Sequence, residues 1–185
     1  MNSRAALGLA CTVTAHLSSP ALALTDETTG LAVDPPPPFV ASTGQHPRHD
    51  AVINIKSTTG TPHGANVDGS LCTVAYKHAP QNARLSQDDI NAGIVKPEWM
   101  ARMKAGFQLA FALDEPVPFQ ASGISGVELQ GRPKAGPGAQ EVRIYISLVE
   151  TPKGRTMMTC ATKQADMPKA LPQFRKIRDA VRPPR

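Results

Sequence analysis

Two cysteines, Cys72 and Cys160, remain once an N-terminal signal peptide is set aside, and this pair constrains the fold more than any other feature. The chain opens with a short positive segment, an apolar stretch and a small-residue cleavage site, which together predict a signal peptide over 1–23. Its removal would also remove Cys11. An exported chain with an even number of cysteines is typical of a structural disulfide, so we predict a Cys72–Cys160 bridge.

Other interpretations of the N-terminus are an uncleaved anchor, a lipoprotein signal and a cytosolic protein. The apolar run is shorter than the roughly 20 residues that span a bilayer. A lipoprotein signal would need an aliphatic residue three positions before Cys11, where Gly8 stands. No later segment is long and apolar enough, so we expect no transmembrane segment in the mature chain and place it in the bacterial periplasm or outside the cell.

The predicted mature chain, 24–185, is long enough for one domain with a hydrophobic core. It holds 162 residues with 19 basic and 15 acidic side chains, a net charge of +4. The basic residues are scattered and aromatic residues make up only 4% of the sequence, which argues against a nucleic-acid ligand. A weak attraction to acidic envelope surfaces is compatible with this charge.

The organisation along the chain predicts a tether followed by a domain. Residues 24–50 contain four consecutive prolines after Asp34 among small polar residues, a composition that favours a disordered, semi-rigid tether. Within it, Phe39-Val40 could dock as a short edge strand. Residues 51–185 are predicted to form a single domain.

Apolar periodicity within that domain alternates between strands and helices. Strands are predicted near 51–56 and 70–76, and two helices follow, the first beginning at a capping box formed by Ser86 and Asp89. Three more strands, ending with a hairpin whose second strand carries Cys160, precede a closing helix. Hairpins require antiparallel pairing and amphipathic helices need a sheet face to cover. We therefore predict an α+β fold with a central antiparallel sheet covered by helices.

The closing helix carries a basic face beside its apolar stripe. Leu171, Phe174, Ile177 and Val181 form the predicted buried stripe. The basic residues on the other side are a predicted contact surface for an acidic envelope partner, with a plain solvated face as the alternative. These residues are Arg175, Lys176, Arg178 and Arg182.

The glycine-led strand 123–129, the hairpin end 159–162 and the helix segment 174–177 together resemble the small Mog1/PsbP-like proteins. The resemblance is strongest over 115–182 and extends to 51–112 only in outline. It implies a central antiparallel sheet with helices on both sides. Members of that group are mostly non-enzymatic accessory or binding proteins, so the resemblance implies a binding role.

A histidine pair before the predicted domain is the candidate metal site. His46, His49 and Asp50 offer two imidazoles and a carboxylate to a divalent cation, with His63 or His78 as a further ligand. A solvated turn is the alternative, because the intervening Pro-Arg sequence disfavours a helical ligand face and repels a cation.

Catalytic signatures are weak. The two cysteines are far apart rather than in a C-x-x-C redox motif. The sequence Gly123-Ile124-Ser125-Gly126-Val127 lacks the last glycine of a G-x-S-x-G nucleophile motif. The sequence therefore predicts an exported, non-catalytic accessory module. A metal-binding envelope protein is the alternative, and a small hydrolase, for which no catalytic residues can be named, is the third.

Overall fold

The structure is a computed structural model that describes residues 23–66, 68–136 and 138–185. The predicted signal peptide lies outside the described residues except for Ala23, so it stays a prediction. The strands are β1 (Leu24–Thr25), β2 (Ala32–Val33), β3 (Phe39–Gly44), β4 (Ala51–Ser57), β5 (Cys72–His78), β6 (Phe111–Leu113), β7 (Val117–Ala121), β8 (Ile124–Pro133), β9 (Val142–Thr151), β10 (Gly154–Lys163) and β11 (Val181–Arg182). The α-helices are α1 (Gln87–Ile94), α2 (Pro97–Phe107) and α3 (Met167–Asp179), and short 3₁₀ helices span Pro80–Arg84 and Gln164–Asp166.

A large antiparallel sheet organises these elements. Its strands lie in the order β3-β4-β5-β10-β9-β8-β6. Along the same edge of β8, β6 pairs with residues 131–133 and β7 pairs with residues 124–128. The turn between β9 and β10 closes the hairpin that the sequence predicts, with Gly154 paired to Thr151. A small second sheet, β1-β2-β11, lies at the end of α3. The predicted α+β fold is confirmed.

Helices cover both faces of the large sheet. Phe174 and Ile177 of α3 pack against Tyr145 on one face. Ile94 of α1 and the side chains of α2 pack against Val127 and Leu148 on the other. The alternation of side chains along each strand supplies both apolar faces. No helix in the described part of the chain is long and apolar enough to cross a membrane.

The segment 24–50 is part of the domain, so the prediction of a disordered tether is wrong and the domain does not begin at 51. Leu31, Val33 and Phe39 are at most 2% exposed and belong to the core beneath α3. Each fully buried side chain of this kind contributes roughly 1.5–3 kcal/mol, which offsets the entropy of ordering a polar, proline-rich segment. The expectation that Phe39-Val40 docks as a strand is confirmed, because β3 pairs with β4.

The predicted disulfide is confirmed. Cys72 on β5 lies directly opposite Cys160 on β10 in the strand register, and the two form a disulfide. Both residues are 0% exposed. This burial favours a structural over a redox role, because catalytic disulfides are accessible to their partners.

Candidate functional site

A buried carboxylate lies where α3 crosses the sheet. Glu128 of β8 is 3% exposed. Its oxygens accept hydrogen bonds from Arg178 Nη1 at 2.6 Å, Tyr145 Oη at 2.9 Å and Arg175 Nε at 3.1 Å. Burying a carboxylate is costly unless it is paired and hydrogen-bonded, and this one is both. We call these four residues the Glu128 cluster.

The surroundings of Glu128 and Tyr145 fix the protonation states of both groups at neutral pH. Burial by itself raises the pKa of Glu128, but hydrogen bonds from Arg175 and Tyr145 and the charges of Arg175 and Arg178 bring the pKa below its ordinary value of 4.5. Burial, opposed by Arg178 and reinforced by Glu128, raises the pKa of Tyr145 well above its usual range. Glu128 is therefore ionised at neutral pH, and Tyr145 keeps the proton that it donates.

The Glu128 cluster also changes the expected role of the helix arginines. The Arg178 side chain is only 12% exposed, so its predicted place on the solvent side of the helix is wrong. Its guanidinium lies 4.0 Å from the ring centroid of Phe119, and its Nε donates to Asp179 at 2.8 Å. Arg175 is half-exposed and also occupied by Glu128. Both arginines therefore form ion pairs within the fold and are not free to contact a partner as the sequence predicts.

The other two basic residues of the predicted contact surface remain exposed. Lys176 and Arg182 have no acidic side chain within salt-bridge distance among the described residues. Helix α3 ends at Asp179, so Val181 and Arg182 lie in β11 and not in the helix that the sequence predicts. The strand places Arg182 at the rim of a groove beside the end of α3.

This groove, which we call the α3 groove, has a volume of about 450 Å³. It lies between residues 181–185 and strands β7 to β10. Its titratable lining residues among those described are Arg178, Arg182 and Arg185. Its apolar lining consists of Phe119, Ala121, Ile124, Val149, Met158, Val181 and Pro183, and its hydroxyl-bearing lining of Ser122, Ser147 and Thr156.

Residues 181–185 are held in place by the rest of the fold. Strand β11 pairs with β2, the strand that carries the buried Val33. Thr151 Oγ1 donates to the carbonyl oxygen of Pro184 at 2.7 Å, and Arg185 Nη2 donates to the carbonyl oxygen of Ser122 at 2.7 Å. The segment expected to be a tether thus supports the wall of the α3 groove.

The side chains that line the α3 groove suit binding better than acid–base chemistry. A guanidinium stays protonated at all physiological pH values and donates hydrogen bonds without accepting any. None of the lining hydroxyls among the described residues is hydrogen-bonded to a histidine, carboxylate or lysine that could activate it. The arrangement can attract and orient an anion.

The predicted metal ligands do not assemble with a further ligand. The rings of His46 and His49 lie 5.0 Å apart between centroids, but Asp50 is occupied by Lys77 Nζ at 2.9 Å and by the backbone N–H of His78 at 2.6 Å. No three His, Cys, Asp or Glu side chains within 23–66, 68–136 and 138–185 are placed to hold a metal ion. Burial, with the nearby charge of His46 next, lowers the pKa of His49. A metal site here stays a prediction.

Sequence reasoning missed most of the residues that build this region. Glu128, Tyr145, Phe119, Thr156 and Arg185 were not expected at a site. One signal was present for the first of them. Glu128 shares the face of β8 that carries buried Ile124, and an acidic residue in such a position calls for a cationic partner.

Comparisons with known proteins bear on the fold. No protein-family model matches the chain, and no curated protein matches it by sequence. The solution structure of cyanobacterial PsbP (CyanoP) from Synechocystis sp. PCC 6803 is similar, with a TM-score of 0.54 and 11% identity over 93% of this chain and 98% of that one. A protein of unknown function from Pseudomonas aeruginosa, described as a putative regulator, has a TM-score of 0.46 and 12% identity over 88% and 96% of the two chains, and no conclusion rests on it. The predicted resemblance is therefore confirmed at the level of architecture: the chain has a PsbP-like fold.

Proposed function

We propose that this protein is an exported, non-catalytic accessory module of the cell envelope that binds an acidic partner at the rim of the α3 groove. The observation that carries the proposal is the lining of the groove, whose titratable side chains among the described residues are all arginines. Such a site recognises negative charge but offers no group that exchanges a proton near neutral pH. The predicted signal peptide and the buried disulfide support an oxidising compartment outside the cytoplasm.

The charges that would meet a partner are Arg182 and Arg185. Both are exposed, and neither has an acidic side chain within salt-bridge distance in the described residues. Uncompensated positive charge beside a concave surface steers an acidic partner and favours its binding. Arg175 and Arg178 contribute indirectly, since their bonds to Glu128 fix the end of α3 next to the groove.

A capture experiment tests this function. The purified, oxidised protein is immobilised and incubated with envelope extract at low and high salt, and bound proteins and metals are identified by mass spectrometry and elemental analysis. Arg182→Gln removes one rim charge. Arg102→Gln is its matched control, because Arg102 is exposed on α2, which covers the opposite face of the sheet.

The expected result is one enriched acidic protein that is lost at high salt and with Arg182→Gln but kept with Arg102→Gln. Equal capture by both variants would contradict the proposal. A stoichiometric metal without any protein partner would instead favour the metal-binding alternative.

A further inference from the structure

We infer that the α3 groove binds a small amphipathic acid, whose anionic head lies at Arg182 and Arg185 and whose apolar body lies along the groove. This inference goes beyond the proposed function, in which an acidic protein binds at the rim, by naming a small-molecule ligand for the groove itself. The occupant of the groove would be a single-chain organic acid rather than a membrane lipid.

The size and shape of the groove favour a small molecule. Its volume of about 450 Å³ falls within the roughly 300–1,000 Å³ that is common for small-molecule sites. The walls come from secondary-structure elements and from residues 181–185, which are anchored by β2 and by Thr151. A site held in this way loses little order when it binds a ligand.

The head of the ligand is specified by charge. Arg182 and Arg185 line the groove, and the planar donors of a guanidinium match a carboxylate. Arg185 uses Nη2 for its bond to the carbonyl oxygen of Ser122, which leaves its other N–H groups for a ligand. Arg178 is not available for this role, since its nitrogens already contact Glu128 and Asp179. No acidic side chain lines the groove within the described residues, so no side-chain charge there repels an anion.

The body of the ligand is specified by the floor and walls. Phe119, Val149 and Met158 give an apolar surface, and burying an apolar chain against it is favourable. Thr156 also lines the groove, is 3% exposed, and its Oγ1 has no hydrogen-bond partner among the described residues. Buried hydroxyls without a partner are rare in native proteins, so a ligand with one polar atom along its chain would complete the site.

Calorimetric titration of the full, oxidised protein tests the inference. Decanoate is the probe, and each of three controls changes one of its features. Decanol removes the charge, decyltrimethylammonium reverses the charge, and acetate removes the chain. We expect saturable 1:1 binding of decanoate and binding weaker by about tenfold or more for each control, because both the head and the chain contribute.

Variants locate the site. Arg182→Gln with Arg185→Gln should weaken decanoate binding by about tenfold or more, whereas Arg102→Gln should leave it unchanged. Ala121→Phe, which adds volume to the groove lining, should abolish it. Urea unfolding of each variant verifies that the fold is retained. For a variant that fails to fold, chemical-shift changes of the wild-type amide groups on adding decanoate provide the same localisation.

Several results would overturn the inference. Absence of saturable decanoate binding below about 1 mM, which corresponds to roughly 4 kcal/mol, would do so. Equal binding of decanol or decyltrimethylammonium would also overturn it. So would a protein that sediments with phosphatidylglycerol vesicles but does not bind decanoate. If decanoate fails to bind while Arg182-dependent capture of an acidic protein persists, the proposed function stands and this inference alone fails.

Discussion

Replacing Glu128 with glutamine tests the central structural argument, that a buried carboxylate holds two arginines in place. The substitution keeps the side-chain volume and one acceptor oxygen but removes the negative charge. Arg178, whose side chain is 12% exposed, then loses the carboxylate oxygen at 2.6 Å and keeps its own charge. Arg175 loses the same partner but is half-exposed, so water can replace it.

The expected loss of stability follows from these exposures. Removing one partner of a buried ion pair costs about 3–5 kcal/mol when the remaining charge has no other partner. Arg178 keeps its bond to Asp179, Arg175 is half-exposed and glutamine retains one acceptor, so Glu128→Gln is expected at the lower end, at about 3 kcal/mol. This is a large part of the 5–15 kcal/mol that typically stabilises a domain of this kind.

Equilibrium urea unfolding of the oxidised protein measures this loss. With a slope of about 2 kcal/mol per molar, the unfolding midpoint should fall by roughly 1.5 M. The matched control is Glu115→Gln, since the Glu115 carboxylate is 86% exposed and pairs with Lys104 at the surface. This control should change the free energy of unfolding by less than about 1 kcal/mol.

The pH dependence provides a second check of the same argument. The pKa of Glu128 in the folded protein lies below its ordinary value of 4.5. Because the pKa is lower in the folded protein, the carboxylate stabilises the fold fully at pH values above its ordinary pKa. This contribution is lost as the pH falls through the folded pKa. The gap between wild type and Glu128→Gln should therefore be constant at neutral pH and shrink only below about pH 4.5. A destabilisation no larger than that of Glu115→Gln, or a gap that grows on acidification, would refute the reasoning.

Three further predictions concern other parts of the fold, and urea unfolding measures each of them. Removing the disulfide by Cys72→Ala with Cys160→Ala should lower stability by up to roughly 4–5 kcal/mol, because it releases an 88-residue loop in the unfolded chain; a loss below about 1 kcal/mol would count against this. Leu31→Ala should cost about 2–5 kcal/mol, whereas Val40→Ala, at a residue that is 48% exposed, should cost less than about 0.5 kcal/mol; equally small losses for both would support a disordered tether instead. Tyr145→Phe should cost about 1.5–3 kcal/mol through the lost hydrogen bond to ionised Glu128, and no measurable loss would show that this bond is dispensable.

Local patterns in the sequence were sufficient for most of the secondary structure. The capping box at the start of α1 is present as predicted, with Ser86 and Asp89 bonded to each other's backbone N–H groups. Apolar alternation predicted β8, β9 and β10, and the stripe that includes Phe174 and Ile177 predicted the buried face of α3. These predictions succeeded because their signals come from residues only a few positions apart.

Composition was misleading for the first part of the chain. Averaged over 24–50, prolines and small polar residues dominate, and such a segment is expected to stay disordered. A few buried residues anchor it, namely Leu31, Ala32, Val33, Pro35 and Phe39. A composition average cannot reveal where a few anchors meet a core that is formed by residues much later in the chain.

The amino-acid sequence by itself determined the α+β class, the cysteine pair and the amphipathic face of α3. The tertiary structure alone decided which charges are occupied and which are free. Glu128 meets Arg175 and Arg178 across 47 and 50 positions of sequence, through the register of β8 and the placement of α3. The pairing of β11 with β2 places Arg182 at the groove, where it is exposed. Only the tertiary structure could decide this, because charge pairing depends on distance in space and not on spacing along the chain.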